Sequence, residues 1–107
     1  MILVTTEHVP GQQETTSLGM VRGSSIRARH VGKDIMAGLR NLVGGEVHEY
    51  SKLLGESREQ AIDRMIEEAE ALGADAIIGV RFQTSMVMQG AAEMLCYGTA
   101  VKLEAAF

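Results

Sequence analysis

The chain has 107 residues, 46% of them hydrophobic, with no Trp, two Tyr, two Phe and a formal net charge of −4. That length describes one domain, residues 1–107, able to bury about 65% of the surface its unfolded form exposes. The acidic balance, the lack of any long basic block and the shortage of rings for base stacking argue against nucleic acid as a partner.

The core must be aliphatic, built from Ile, Leu, Val, Ala and seven Met. Such small, flexible pieces gain from a partner subunit. Residues 2–5 predict a short strand, and the apolar run Ile2-Leu3-Val4 is too short for a signal sequence or a membrane span. A cytoplasmic protein with no membrane partner is expected, and the lone cysteine fits a reducing compartment. Pro10-Gly11 predicts a turn. Residues 18–28 alternate like a strand, interrupted by Gly19 and Gly23, which mark a bulge or a place where another backbone comes close. Arg27, Arg29, His30 and Lys33 read as a solvated strand-to-helix junction rather than an anion site.

Residues 33–43 carry Ile35, Met36, Leu39, Leu42 and Val43 on one helical stripe, which Gly44-Gly45 ends or kinks. The stripe resumes over 46–72 with Val47, Tyr50, Leu54, Ala61, Met65, Ala69 and Leu72. Ser57-Arg58-Glu59-Gln60 has the form of a capping box, so this stretch is either two helices broken near Gly55 or one long helix. Glu59, Asp63, Glu67, Glu68 and Glu70 fall mostly on its outer face and serve solubility.

A helix ending at Leu72-Gly73 then leads into a β-hairpin. Strict alternation places Ala76, Ile78, Val80, Phe82, Thr84, Met86 and Met88 on one face of its first strand. Leu95, Tyr97, Thr99, Val101 and Leu103 form the apolar face of the second. Pairing Phe82 with Val101 and Met86 with Tyr97 brings these faces together. It puts Cys96 opposite Val87, away from Met86 and Met88, on a mixed face suited to a second subunit.

Little here is chemistry. Cys96 reads first as a small buried hydrophobe. A soft metal ion bound by Cys96 with Met86, Met88 and Met94 is the alternative, since thioethers and a thiolate are available. No CxxC, HxH or HExxH spacing occurs, and His8, His30 and His48 are far apart in sequence. No phosphate loop, no GxSxG turn and no acid–base–orienter set is visible, so catalysis is not expected.

Several stretches together resemble the YbjQ family, also known as UPF0145 or DUF74. They are Thr5-Thr6, Pro10-Gly11, Gly19-Met20-Val21-Arg22-Gly23, the run from Met36 to Glu46, the run from Leu72 to Phe82, and Tyr97-Gly98-Thr99-Ala100-Val101. Each motif is weak alone, but together they span nearly the whole chain in order. The resemblance implies an α+β subunit with a dodecin/YbjQ-like antiparallel sheet and helices on one face, in the order β-β-α-α-β-β. It also implies assembly into a pentamer with a barrel-like β-structure. It transfers no activity, and the family's heavy-metal description lacks here the paired cysteines of metal-binding domains.

The expected function is therefore that of a homo-oligomeric binding or scaffold protein whose ligand sites lie at subunit interfaces. Candidate contacts within the matched motifs or next to them are Arg40, Asn41, Glu46, Glu49, Tyr50, Arg81 and Thr99. Asn41 has a structural alternative as a helix cap, and Tyr50 as a rim packing residue. The alternative function is soft heavy-metal-ion binding through Cys96 and the hairpin methionines. No other cofactor is expected.

Overall fold

A mixed four-stranded sheet with one long helix laid across it organises the chain. The computed structural model describes residues 1–28, 48–88 and 91–105. The elements are β1 (Ile2–Leu3), β2 (Gln12–Ala28), α1 (His48–Ala71), β3 (Ala76–Met88) and β4 (Ala91–Ala105). The strand order is β1-β3-β4-β2. β2 and β3 both run antiparallel to β4, but β1 runs parallel to β3, with Ile2 opposite Ala76. The expected purely antiparallel sheet is thus corrected. Parallel neighbours need a long connection, and the chain between β1 and β3 supplies it. The helix predicted over 33–43 and its Gly44-Gly45 end lie outside the described residues.

Within the 46–72 stretch, His48–Ala71 form a single helix of 24 residues, continuous through Gly55. Ser57 is buried in its interior, so it is no cap. It belongs instead to a buried row of Ser57, Ala61, Met65 and Ala69, one residue per turn on one helix face. The carboxylates of Glu59, Asp63, Glu67, Glu68 and Glu70 are exposed, as predicted.

The helix stops at a Schellman motif. Gly73, at φ 77°, donates its N–H to Glu70 O at 2.9 Å, and Ala74 donates to Ala69 O at 3.1 Å. Asp75 then clamps the start of β3 to β4: its N–H reaches Val101 O at 2.9 Å and its Oδ2 accepts from Leu103 N at 2.9 Å. A Cβ at Gly73 would meet only the end of the Lys102 side chain, Nζ at 3.5 Å and Cε at 3.9 Å, so the penalty for alanine there is conformational alone. Gly73→Ala is expected to cost about 1 kcal/mol and lower Tm by roughly 5 °C, with Gly73→Asn losing less. Thermal denaturation followed by circular dichroism checks the order of the three chains.

The hairpin register differs from the predicted one. Phe82 lies opposite Cys96 and Met86 opposite Ala92, whereas Val101 pairs with Ala76 and Tyr97 with Arg81. Two causes act together. β4 begins at Ala91, earlier than the predicted pairing requires for a β3 that ends at Met88. In addition, Gly79, at φ 61°, sits in a bulge between Ile78 and Arg81 that breaks the alternation.

Ile77, Val80, Phe82, Thr84 and Met86 therefore share the helix-facing side with Met94, Cys96, Gly98 and Ala100. Ala76, Ile78, Arg81, Gln83 and Ser85 share the other side with Leu95, Tyr97, Thr99, Val101 and Leu103.

Burial follows the small residues. α1 packs over β2 and β4, and the main core gathers Val21, Ala61, Met65, Ala69, Ile77, Val80, Met94, Cys96 and Ala100. Each larger side chain buried there contributes about 1.5–3 kcal/mol. Gly23 is where helix and strand backbones touch: a Cβ would collide with the backbone of Ala61 and Met65. Around this contact Arg64 Nη1 donates to Ser24 O at 2.6 Å and Ser25 Oγ donates to Gln60 Oε1 at 2.7 Å. On the opposite side a smaller cluster of Val9, Ala76 and Val101 is capped by the N-terminal segment through Val4.

Candidate functional site

Two faces of the sheet offer chemistry, and they differ in kind. The helix-facing side holds sulfur. Cys96 is fully buried, and its Sγ–H points to Gly23 O at 3.6 Å. Met94 lies two residues before it on the same strand face, its Sδ accepting a bond from Thr84 Oγ1 at 3.3 Å. Met65 belongs to the same core. Burial pushes the Cys96 thiol above its ordinary pKa. The expectation that Cys96 sits away from Met86 is corrected by the register: both lie on the helix-facing side. Met86 is exposed, however, and Cys96 is not.

The outer side carries charge. Tyr97, half-buried on β4, has Arg22 opposite it on β2 and Arg81 opposite it on β3. Both arginines are exposed. Arg81 Nη1 donates to the carbonyls of Thr5 and Val80, each at 2.8 Å, so its guanidinium is tethered at one end. The next row towards the C-terminal end of β4 is Met20, Thr99 and Ile78, and the row on the other side is Ser24, Leu95 and Gln83. Among the described residues the only contact of a basic side chain with a carboxylate is elsewhere, between His8 Nδ1 and Glu14 Oε2 at 3.1 Å. That bond to His8, followed by the Val9 N–H, holds the Glu14 carboxyl below its ordinary pKa.

Of the predicted contact residues, Arg81 and Thr99 fall together on the outer face in adjacent rows. Arg40, Asn41 and Glu46 lie outside the described residues. Glu49 and Tyr50 lie at the start of α1, with side chains outside the described set. Sequence reading passed over Arg22 and Tyr97 as site residues. The signal that joins them to Arg81 is the register alone, which depends on the Gly79 bulge. A concavity of about 590 Å³ beside Gly55, Glu56, Arg58, Glu59, Gln60 and Asp63 runs along the exposed side of one helix. No described helix is long and apolar enough to cross a membrane.

Comparison with known proteins is consistent over the whole length. A family model described as "Putative heavy-metal-binding" matches residues 1–104. A UPF0145 protein of Methanosarcina acetivorans is 63% identical over 96% of this chain and 97% of its own. UPF0145 proteins of Archaeoglobus fulgidus, 56% identical over 96% of this chain and 95% of its own, and Thermus thermophilus, 59% identical over 98% and 93%, are similar too. The fold matches a crystal structure of a DUF74-family protein of unknown function from Pediococcus pentosaceus. That match has a TM-score of 0.63 at 18% identity, covering 97% of this chain and 98% of the other.

The metal wording can be tested against the residues themselves. Soft ions take a thiolate, and Cys96 is a desolvated thiol whose proton is directed at a carbonyl. Its surroundings are close-packed apolar groups, with no described cationic partner to hold a thiolate. No group of three or more His, Cys, Asp and Glu among the described residues could hold a metal ion. Among the described residues, then, no set of His, Asp and Glu ligands gathers around Cys96.

Proposed function

Because the chain belongs to the UPF0145 (YbjQ, DUF74) family, we propose from its geometry that it acts as a cytoplasmic, ring-forming homo-oligomer that binds a ligand on its sheet. The observation that carries this is a pair of sheet edges with no partner among the described residues. β2, 17 residues long, is an outer strand with no described residue paired along its free side. β3 is covered by the N-terminal segment only as far as Val80, whose N–H reaches Val4 O at 3.0 Å. From Arg81 to Met88 its outer edge has no described partner either.

Long open edges are templates for another chain. Here they lie on opposite sides of the sheet and belong to different strands. Joining β2 of one copy to β3 of the next is a head-to-tail contact, which closes into a ring when the rotation between copies closes and otherwise runs on as a filament. A closed sheet has no edges left, which is the barrel-like assembly that the family resemblance implies, with five copies.

Apolar exposure supports the same reading. Met20 is 64% exposed and Ile26 61% on the outer face, while Phe82 is 45% and Met86 79% exposed beyond the reach of α1. The subunit is drawn out to 58 Å along one axis, about the length of a 17-residue strand at 3.4 Å per residue. Its radius of gyration, 17.6 Å, exceeds the roughly 13 Å of a compact chain of this size. A ribbon of this shape buries little of itself alone.

Native mass spectrometry of the purified protein is the test. A species of five times the 11.5 kDa chain mass is expected. A monomer at micromolar concentration would overturn the ring.

A further inference from the structure

The helix does not sit over the middle of the sheet, and its offset leaves one strand bare. We propose that α1 of a second copy of this chain covers the exposed helix-facing side of β3, at Phe82 and Met86. This rests on the ring reading and deepens it, by naming the partner surface that strand pairing alone leaves open.

Helix cover stops at β4. Gly23, Cys96 and Phe82 form one row across β2, β4 and β3 on the helix-facing side. Gly23 and Cys96 are buried, and Phe82 is exposed. The next row repeats the pattern, with Ser25 and Met94 buried and Thr84 exposed. Two residues further along β3 comes Met86, the most exposed of the large apolar side chains among the described residues. Nearer the start of the strand Ile77 and Val80, on the same side, are buried. The bare face is therefore the later half of β3. That half also lacks an edge partner among the described residues, so one neighbour would supply both.

The cause lies in the placement of α1. It packs chiefly over β2, and over β4 to a lesser degree. A helix about 10 Å across, centred near β2, reaches about one strand spacing, roughly 5 Å, to each side. On one side that strand is β4, and on the other no described strand of this copy is present. Arg64 marks the overhang. Gly23 O is turned towards β4, where Cys96 Sγ–H points to it at 3.6 Å. The next carbonyl along the strand, Ser24 O, is turned the other way, to the free edge. Arg64 Nη1 reaches it there at 2.6 Å, and Gln60, one turn earlier, accepts from Ser25 Oγ.

β3 of another copy placed beside β2 would come under this flank of the helix. Within one sheet β3 lies two strands from β2, about 10 Å, whereas across the joint it lies one strand away, about 5 Å. β2 and β3 both run antiparallel to β4, so the joint is a parallel pair, a kind of pairing whose faces are ordinarily covered by helices. The aliphatic stem of Arg64 can lie across the two apolar side chains while its head keeps the bond to Ser24 O.

The test places a thiol on the bare face. Met86→Cys is compared with Glu70→Cys, on the exposed side of α1, in its rate of labelling by a small thiol reagent, with native mass recorded for both. In the ring, Met86→Cys should label at least about tenfold more slowly than Glu70→Cys; buried Cys96 gives the same background in each. The cover is then identified in trans. Met86→Cys chains are refolded together with chains carrying Gln60→Cys or Arg64→Cys and treated with a short bis-maleimide. Cross-linked pairs are expected from the mixtures and not from the Met86→Cys chains alone. A ring in which Met86→Cys labels as fast as Glu70→Cys overturns the docking and leaves the ring standing. So does a ring that gives no cross-link to either helix position. A monomer overturns both, and slow labelling of Met86→Cys in that monomer would assign the cover to residues 29–47 of the same chain.

Discussion

Replacing Gly23 by alanine is expected to lower the melting temperature by roughly 10–20 °C. A single methyl group has this effect because of what it meets. The new Cβ would run into the carbonyl oxygen of Ala61 and the amide nitrogen of Met65. Both are backbone atoms inside a helix, and neither can rotate aside as a side chain would. The whole helix must lift from the strand, opening the core around Val21, Cys96 and Met65. Overpacking of this kind costs about 3 kcal/mol, and each kcal/mol is worth roughly 4–8 °C in a domain of this size.

Gly55 provides the internal contrast. It lies within α1, and a Cβ there would meet only Arg58 Nη2, at 3.8 Å. Gly55→Ala should therefore raise Tm by a few degrees, through the better helix propensity of alanine. Scanning calorimetry of the two variants beside the parent decides it. A Gly23→Ala melting point within about 3 °C of the parent would show that helix and strand are not in contact there.

The second large effect concerns the only thiol. In the native protein Cys96 should react with a small thiol reagent at pH 8 at least about 100-fold more slowly than in denaturant. Its Sγ has no solvent access, and burial raises its pKa, so little reactive thiolate is present. Reaction must wait for α1 to lift, so the labelling rate reports that opening. Labelling of the folded protein at the denatured rate would sink this expectation. Cys96→Ser should leave uptake of Cu(I) or Zn(II) unchanged, measured by metal analysis after dialysis. Metal uptake that disappears with this one substitution would restore a soft-ion site and contradict the packing described above.

Much of the framework was legible in the residues. The stripe through Ala61, Met65 and Ala69, the acidic outer face and the helix stop at Gly73 all follow from helical spacing and glycine chemistry. The two glycines of the first long strand were rightly read as a bulge and a close approach. Gly19, at φ 99°, sits at a register shift, and Gly23 is the helix contact.

The faces of the hairpin were not legible, for a specific physical reason. Alternation assigns the larger apolar residues to the inside, but here the helix sits close on Gly23, Gly98, Cys96 and Ala100. A tight interface selects small residues, so Leu95 and Tyr97 were drawn inward by size alone. The Gly79 bulge then exchanged the faces of Ile77 and Ile78 relative to Arg81 and Phe82. That single extra residue also concealed the candidate site. Arg81 could be picked out as an isolated polar residue, but its alignment with Tyr97 and Arg22 exists only in the bulged register. Ser57 misled in a simpler way: its spacing to Gln60 imitates a helix start, while its place on the buried stripe is what fixes its role.

The strand order also governs how the chain is made. β2 pairs only with β4 among the described strands, Gln12 lying opposite Ala105. Its partner is thus the last of the described elements to leave the ribosome. At 5–20 residues per second, β2 waits about 4–16 s for β4 to be synthesised. The local unit of α1, β3 and β4 has short-range contacts and forms quickly, while closure with β2 and β1 carries the long-range loop cost. During that interval on a polysome, neighbouring nascent chains each present a long unpaired strand. In the proposed ring, pairing between copies would begin there, before any single subunit is finished.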